Sequence, residues 1–425
     1  MRERMIGSWG IARRAVESEA EGQCNDGSMQ VQPLIIVGAS ARAAAFSARG
    51  AGFDPFCIDL FADADLKACC PVIRIAFQSY PNGFSKLIRE APSGPWIYTG
   101  GLENHPDLIE HLTTERPLWG NDANVLREVR DPPRLFRAFR EAGLPSPECR
   151  AQVPEAGSAG RWLEKPLAGA GGNGIRIWQP GAGRQNRRTY FQQFIAGESA
   201  AATFVGFKQQ AILLGVTRQL VGESWLNAKP FHYCGSIGPL PLRETLRRRF
   251  ERIGDILVRQ FHLRGLFGVD AVIHDDWPFP VEVNPRYTAS MEVLEFATGV
   301  QVIDWHRRAF ENSENPFVLR ARADEDFVSK HRRIVGKAIL FAAREFKFQG
   351  TKPDRLASSG STPPNPPRGG GGWGGSSRSM PAFADIPEAG TVIESGWPVL
   401  TCFAEGASMD EVADQLRKIT SSVCK

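Results

Sequence analysis

The stretch that most constrains this chain is Gly265–Arg286, GLFGVDAVIHDDWPFPVEVNPR. It predicts two apolar strands, Leu266–Ile273 and Phe279–Val283, joined by a polar turn at His274–Trp277. Asp270 interrupts the first apolar run. Glu282 and Asn284 flank Val283 at the two-residue period of a strand, so both face the same side. A carboxylate buried in a strand is costly unless it finds a partner. Two carboxylates and an amide oxygen converging across a hairpin make a hard, all-oxygen set suited to Mg2+ or Mn2+, with water and phosphate oxygens completing the shell. Asp270, Glu282 and Asn284 are therefore the candidate metal ligands. Arg286 shares their face if extension continues past Pro285, and there it would neutralise charge on a phosphoryl group in transfer. The competing reading is a surface hairpin whose acids are simply solvated.

A second stretch bears on that choice. In Arg161–Gln179, RWLEKPLAGAGGNGIRIWQ, a strand ending at Glu164-Lys165-Pro166 enters a loop with Gly169, Gly171, Gly172 and Gly174, then returns as the strand Ile175–Trp178. Glycines at this density let backbone N–H groups crowd an anion, and Lys165 adds a point charge. The GxxxxGK[ST] pattern is absent and the loop joins two strands, so this is not a P-loop. A merely flexible glycine turn is the alternative.

A lysine, a glycine loop and an E-x-N-x-R hairpin about a hundred residues later resemble the ATP-grasp superfamily. The resemblance spans Leu34 to about Ile303 and returns near the C-terminus. Within the superfamily the chain resembles predicted ATP-dependent carboligases related to biotin carboxylase. The resemblance implies an α/β (α+β) ATP-grasp fold with a Rossmann-like pre-ATP-grasp domain before it and a small C-terminal β/α segment after it. It implies ATP and Mg2+ (or Mn2+) as cofactors, with Lys165 and the four loop glycines on the phosphates. Thr189–Ser199, TYFQQFIAGES, falls where the family has the strand and hinge that hold adenine, which makes Gln192, Gln193, Phe194, Ile195 and Glu198 nucleotide contacts. Arg286 and Arg218 are implied near the γ-phosphate or an acyl phosphate; an exposed arginine at a strand end is the plainer reading of Arg218. Many family members carry an earlier lysine near Asp131. This chain offers Arg130, which binds phosphate by a different geometry.

Around these motifs the chain reads as α/β. PLIIVGAS is a strand entering a turn, Ala41–Gly50 a small-residue helix, and Phe53–Leu60 a strand ending at Asp59. The spacing mimics a dinucleotide fingerprint, but Gly38-Ala39-Ser40-Ala41-Arg42-Ala43 lacks its second and third glycines, so no NAD site is expected. Strands near Val72–Ile75 and Trp96–Tyr98, with a helix at Asn82–Ala91, continue the parallel sheet. Glu103 and His105 leave the end of a predicted strand, where α/β sheets bind ligands, and are candidate acceptor contacts. Asn104 as a cap of the helix Pro106–Leu112 is the competing reading. Asp131 caps a helix over Arg134–Ala142. Strands Ala200–Phe207 and Gln210–Gln219, the segment Phe231–Gly238 and the helix Leu242–Phe261 lead to the hairpin. Phe327–Phe348 reads as a helix or a strand pair, and Met409–Thr420 as a helix.

The expected organisation is a polar disordered tail at 1–30, with Met29 an alternative start, the Rossmann-like unit at 31–130 and the ATP-grasp domain at 131–320. A C-terminal segment follows at 321–349 and 381–425, interrupted by a Gly/Pro/Ser-rich loop at 350–380 that cannot pack. At 425 residues the chain has room for two or three cores. A net charge of +4 with mixed signs shows no basic stripe, so nucleic acid is not an expected partner. No apolar run reaches the length of a membrane span, and the tail lacks a secretory apolar region. Eight cysteines without a C-x-x-C pair fit reduced thiols in a cytoplasm.

The resemblance implies a two-step reaction in which a substrate carboxylate takes the γ-phosphate of ATP and an amine then displaces phosphate. The partners are then a small carboxylate and an amine, with a homodimer left open. The subfamily resemblance also implies a place in the biosynthesis of a one-carbon-carrier cofactor such as tetrahydromethanopterin or methanofuran. A biotin-carboxylase-like carboxylation is the alternative, although the chain has no biotinyl Met-Lys-Met segment. A non-catalytic nucleotide-binding module is the third reading.

Overall fold

Every residue of the first strand's middle is apolar, and the reason is its surroundings. In β1 (Pro33–Gly38) Leu34 and Ile36 point into one core and Ile35 and Val37 into another, all fully buried, as expected of a parallel strand covered on both faces. The structure, a computed structural model, describes residues 31–155, 160–181, 188–311, 333–350 and 380–423. The expected tail at 1–30 and nearly all of the Gly/Pro/Ser-rich loop lie outside them.

Strands β2 (Asp54–Asp59), β3 (Val72–Arg74) and β4 (Trp96–Tyr98) join β1 in a parallel sheet of order β3-β2-β1-β4. Helices α1 (Arg42–Gly50) and α2 (Ala64–Cys69) cover one face. The short α3 (Phe84–Leu87), α4 (Pro106–Glu115) and α5 (Ala123–Val129) cover the other. The expected helix over 82–91 is only α3 followed by a 3-10 turn, Ile88–Glu90. Asp59 is turned inward: its carboxylate accepts from the backbone N–H groups of Ala41 (2.6 Å), Phe61 (2.8 Å) and Ala62 (2.6 Å). It ties two loops together.

Helix α6 (Pro132–Glu141) starts on Asp131, whose carboxylate accepts the Arg134 N–H. Next comes a small antiparallel sheet, order β5-β8-β6-β7, built from β5 (Cys149–Arg150), β6 (Trp162–Pro166), β7 (Arg176–Trp178) and β8 (Thr189–Gln193). The main sheet follows. It contains β9 (Glu198–Phe207), β10 (Gln210–Val221), β11 (Tyr233–Gly238), β12 (Gly265–His274), β13 (Trp277–Asn284), β14 (Ile334–Phe341), β16 (Phe383–Ala384) and β18 (Pro398–Gly406). Its order is β13-β12-β9-β10-β11-β14-β18-β16. Helices α7 (Glu244–Phe261) and α10 (Met409–Val423) pack on one face. Helices α8 (Ala289–Thr298) and α9 (Val302–Glu311) pack on the other, where they also meet α1. The described part of 327–348 is two strands that do not pair with each other: β14 joins the main sheet, and β15 (Phe346–Lys347) pairs with β17 (Val392–Ile393). No helix among the described residues is long and apolar enough to cross a membrane, and Cys57, Cys69, Cys70, Cys234 and Cys402 are buried.

A buried charge network closes the α1–α8 junction. Arg42 is buried; its Nη2 donates to Glu292 Oε2 (2.9 Å) and its Nε to Asp385 Oδ1 (2.9 Å), while Lys337 Nζ donates to Glu292 Oε2 (3.0 Å). Burial would raise the Asp385 pKa, but Arg42 and Lys337 outweigh it and lower it to about 2.

His306 of α9 joins this face to the first unit. Its Nδ1 accepts from the Leu266 N–H (2.8 Å) and its Nε2 donates to the Trp119 carbonyl (3.0 Å), a neutral ring in a buried site. Burial lowers its pKa to about 4. The unfolded chain, with a pKa of about 6.5, binds more protons between those values, so stability present above pH 6.5 is lost as pH falls toward 4, by about 3 kcal/mol at full titration. Urea unfolding at pH 7 and pH 4.5 should show this loss in the wild type and a smaller one in His306→Gln. Equal losses would contradict it.

Candidate active site

The hairpin closes more tightly than its sequence suggests. Asp275 and Asp276 alone form the turn, both with left-handed backbone (φ 47° and 65°), and His274 pairs directly with Trp277. Aspartate tolerates this conformation, which suits a two-residue hairpin. The register then sets Asp270 directly opposite Glu282 and Gly268 opposite Asn284, so the two acids and the amide share one face.

Each of these groups is held. Asp270 Oδ1 accepts from Gln219 Nε2 (2.9 Å) and its Oδ2 from Asn284 Nδ2 (3.1 Å). Glu282 Oε1 accepts from Arg130 Nη1 (2.7 Å). Asn284 Oδ1 accepts from Arg286 Nη2 (3.1 Å), and Arg286 also grips Glu103 Oε1 through Nε (2.8 Å) and Nη2 (2.6 Å). Burial and the facing Glu282 carboxylate raise the Asp270 pKa to about 6. For Glu282 burial acts in the same direction, but Arg130 and Lys165 overcome it and lower its pKa. A divalent cation would relieve the repulsion between the facing carboxylates, and the all-oxygen donor set fits Mg2+ or Mn2+. Among the described residues, no cluster of three or more His, Cys, Asp or Glu side chains is placed to hold an ion. The acid pair with its amide is what the hairpin offers.

The glycine loop lies over this face. Gly171, Gly172 and Gly174 have left-handed backbone (φ 60°, 81° and 77°), which glycine adopts freely. A Cβ on Gly172 would stand 1.8 Å from the Phe231 carbonyl oxygen, so the loop presses on the β10–β11 connection, and Tyr233 N–H donates to Gly171 O (3.1 Å). Gly169 O accepts from Asn104 Nδ2 (3.1 Å) and Arg130 Nη2 (3.2 Å). Lys165 Nζ donates to Gln192 Oε1 (3.2 Å) and Val281 O (3.3 Å). Burial disfavours its charge, yet Tyr190 and Glu282 hold its pKa above the ordinary lysine value. A cleft is enclosed by Arg130, Phe136, Lys165, Gly169, Gly172, Tyr190 and Glu282, with Leu135 and Val283 on its walls.

Not every sequence-predicted residue reaches this cleft. Thr217 and Asp270 both oppose Ala201, so they share a face, whereas Arg218 opposes Ala200 on the other one. Arg218 lies 3.7 Å from Glu198 and 3.8 Å from Asp410 of α10, away from Glu282. Glu198 is exposed. Gln192 is buried, its Oε1 occupied by Lys165 and the Tyr190 hydroxyl. Gln193 bonds Glu148, and Phe194 lies under the Arg161 guanidinium (4.6 Å); Ile195 is half-buried beside them. Asn104 does not cap α4: His105 occupies that position without a side-chain cap, and the Asn104 amide goes to the glycine loop.

Gln219 and Asn104 are the residues that sequence reasoning missed. Gln219 adjoins the more conspicuous Arg218, and a bulge at Leu214 sets which of the two faces the acids. In the sequence Asn104 reads as a helix cap, and its glycine-loop partner has no local signal.

The family model for the ATP-grasp domain matches residues 129–290, from the end of α5 to the start of α8. This chain carries an ATP-grasp domain. An uncharacterised protein of Methanocaldococcus jannaschii is 23% identical over 319 residues, covering 70% of this chain and 67% of that one. The L-amino acid ligase of Bacillus licheniformis has the same fold, with a TM-score of 0.65 at 14% identity over 92% of this chain and 97% of that one. So does the biotin carboxylase domain of Hydrogenobacter thermophilus 2-oxoglutarate carboxylase, solved with MgADP and bicarbonate, with a TM-score of 0.64 at 14% identity over 91% and 89%. In the ATP-grasp domain of this chain the facing acids exact a cost that can be measured. Asp270 is easier to keep protonated in the folded protein, so its contribution is favourable at low pH and lost as pH rises through about 6. Asp270→Asn should therefore stabilise the ligand-free protein at pH 8 by about 1–2 kcal/mol, with the gain disappearing near pH 4. Urea midpoints for both proteins at both pH values check this; a destabilised variant at pH 8 would refute it.

Proposed function

We propose that this protein is an ATP-dependent, ADP-forming ligase that joins a small-molecule carboxylate to an amine through an acyl phosphate. The observation that carries the reading is the facing Asp270–Glu282 pair beneath a glycine loop, ringed by Lys165, Arg130 and Arg286. A binder of nucleotide alone has little use for two opposed, half-buried acids, because their repulsion costs stability unless a cation is held there. The MgADP in the biotin carboxylase domain and the name of the L-amino acid ligase support the cofactors and the bond formed.

Bound Mg·ATP would supply the phosphoryl group that activates the substrate carboxylate. Asp270, Glu282 and Asn284 would hold the metal. Lys165 and the N–H groups of Gly169–Gly174 would hold the phosphates, and the hinge Gln193–Ile195 the base. Arg286, fixed by Glu103, would neutralise charge on the group in transfer. The acceptor amine would enter at the carboxyl ends of β1 and β4, the point where the parallel sheet's strand order reverses, beside Glu103 and His105. A place in one-carbon-carrier biosynthesis belongs to this reading and is supported by the subfamily resemblance.

The test is a screen of carboxylate–amine pairs for ADP release. The active pair should require divalent metal, and Glu282→Gln and Asn284→Ala should each reduce turnover by about 100- to 1,000-fold with circular dichroism unchanged. Near wild-type turnover in either variant would make the hairpin structural only.

A further inference from the structure

Arg130 is bound to more of the site than an ordinary ion pair requires. It lies between α5 and α6, and its guanidinium is spread over three separate parts of the chain. Nη1 donates to Glu282 Oε1 (2.7 Å) and Val283 O (3.3 Å). Nη2 donates to Asn104 Oδ1 (2.8 Å) and Gly169 O (3.2 Å). The Asn104 amide closes the ring by donating to the same Gly169 oxygen (3.1 Å). One cation thus holds a candidate metal ligand, a loop of the parallel-sheet unit and the glycine loop.

These bonds conflict with metal binding. A Mg2+ ion needs a carboxylate oxygen at about 2.1 Å, and a guanidinium donating to that same oxygen would stand beside the ion as a like charge. A metal bound at Glu282 therefore weakens the Arg130 hold on Oε1 and favours its release. Leaving costs a part-buried charge-assisted bond unless another anion takes the guanidinium. A polyphosphate is such an anion, because its oxygens match the planar fork. The carbonyl of Gly169 loses its Arg130 donor at the same moment and keeps Asn104 Nδ2, while the N–H groups of its loop gain an anion.

We propose that Arg130 is an exchange cation. It holds Glu282 and the glycine loop until a nucleotide arrives, then passes Glu282 to the incoming metal and itself to the phosphates. Metal and nucleotide are thereby made to bind together, and Asn104 sets the strength of the hold. The identity of the nucleotide follows the ligase reading above.

Mn2+ serves as the probe, its free signal read by electron paramagnetic resonance, with a non-hydrolysable ATP analogue as nucleotide. Without nucleotide, Arg130→Gln should bind Mn2+ about tenfold more tightly than wild type, a difference of about 1.4 kcal/mol. Asn104→Ala should move in the same direction by less, and it keeps the test alive if the arginine variant fails to fold. With the analogue the order should invert, the wild type binding Mn2+ more tightly than Arg130→Gln. Hydrogen exchange of the Gly171–Gly174 amides should quicken in both ligand-free variants. Nucleotide-free Mn2+ affinity in Arg130→Gln that equals or falls below wild type overturns the exchange. A wild type that binds no Mn2+ with the analogue overturns the ligase reading instead.

Discussion

Two carboxylates face each other across adjacent strands of a sheet edge, and much of the surrounding structure answers that repulsion. Asp270 and Glu282 are opposed by register, so neither can turn away without breaking the hairpin. Gln219 and Asn284 supply N–H donors to one of them, and Arg130 supplies charge to the other. Lys165 approaches from the small sheet and Arg286 from the end of the hairpin. Unpaired, such a pair would be among the costliest features a fold can contain. Surrounded this way, it is a prepared anionic seat with cations already at its rim.

The parallel-sheet unit completes that rim. Glu103 holds Arg286 and Asn104 holds Arg130, so consecutive residues of one loop reach both arginines. Glu103 is itself buried; burial would raise its pKa, but Arg286 prevails and lowers it. In the same unit Asp59 turns inward and gathers three backbone N–H groups, which fixes the loops at the ends of β1 and β2.

The outline of both the fold and the candidate site was legible because hydrophobic period and glycine density are local properties. Leu34–Val37 announced an apolar strand, and Val283 between Glu282 and Asn284 announced a shared face. What the sequence hid was non-local. Choosing between Arg218 and Gln219 needs the parity of β10, and a bulge at Leu214 changes that parity without an obvious residue signature. The turn at Asp275–Asp276 shortened because the strands paired through His274 and Trp277, with the Trp277 ring stacked under Arg249 (3.6 Å). Asn104 read as a helix cap by its position alone, and only the approach of the glycine loop revealed a different partner.

The junction of Arg42 with Asp385 also bears on the order in which the chain can mature. Arg42 follows the first strand, whereas its partner is made 343 residues later. During synthesis the opening strand–helix unit would emerge long before Glu292, Lys337 and Asp385 exist to receive that guanidinium. Contacts at such separation form late and slow folding. The charge network around Arg42 is therefore complete only once Glu292, Lys337 and Asp385 have been made. That network fastens the opening strand–helix unit to the far part of the main sheet, so the two are stabilised together.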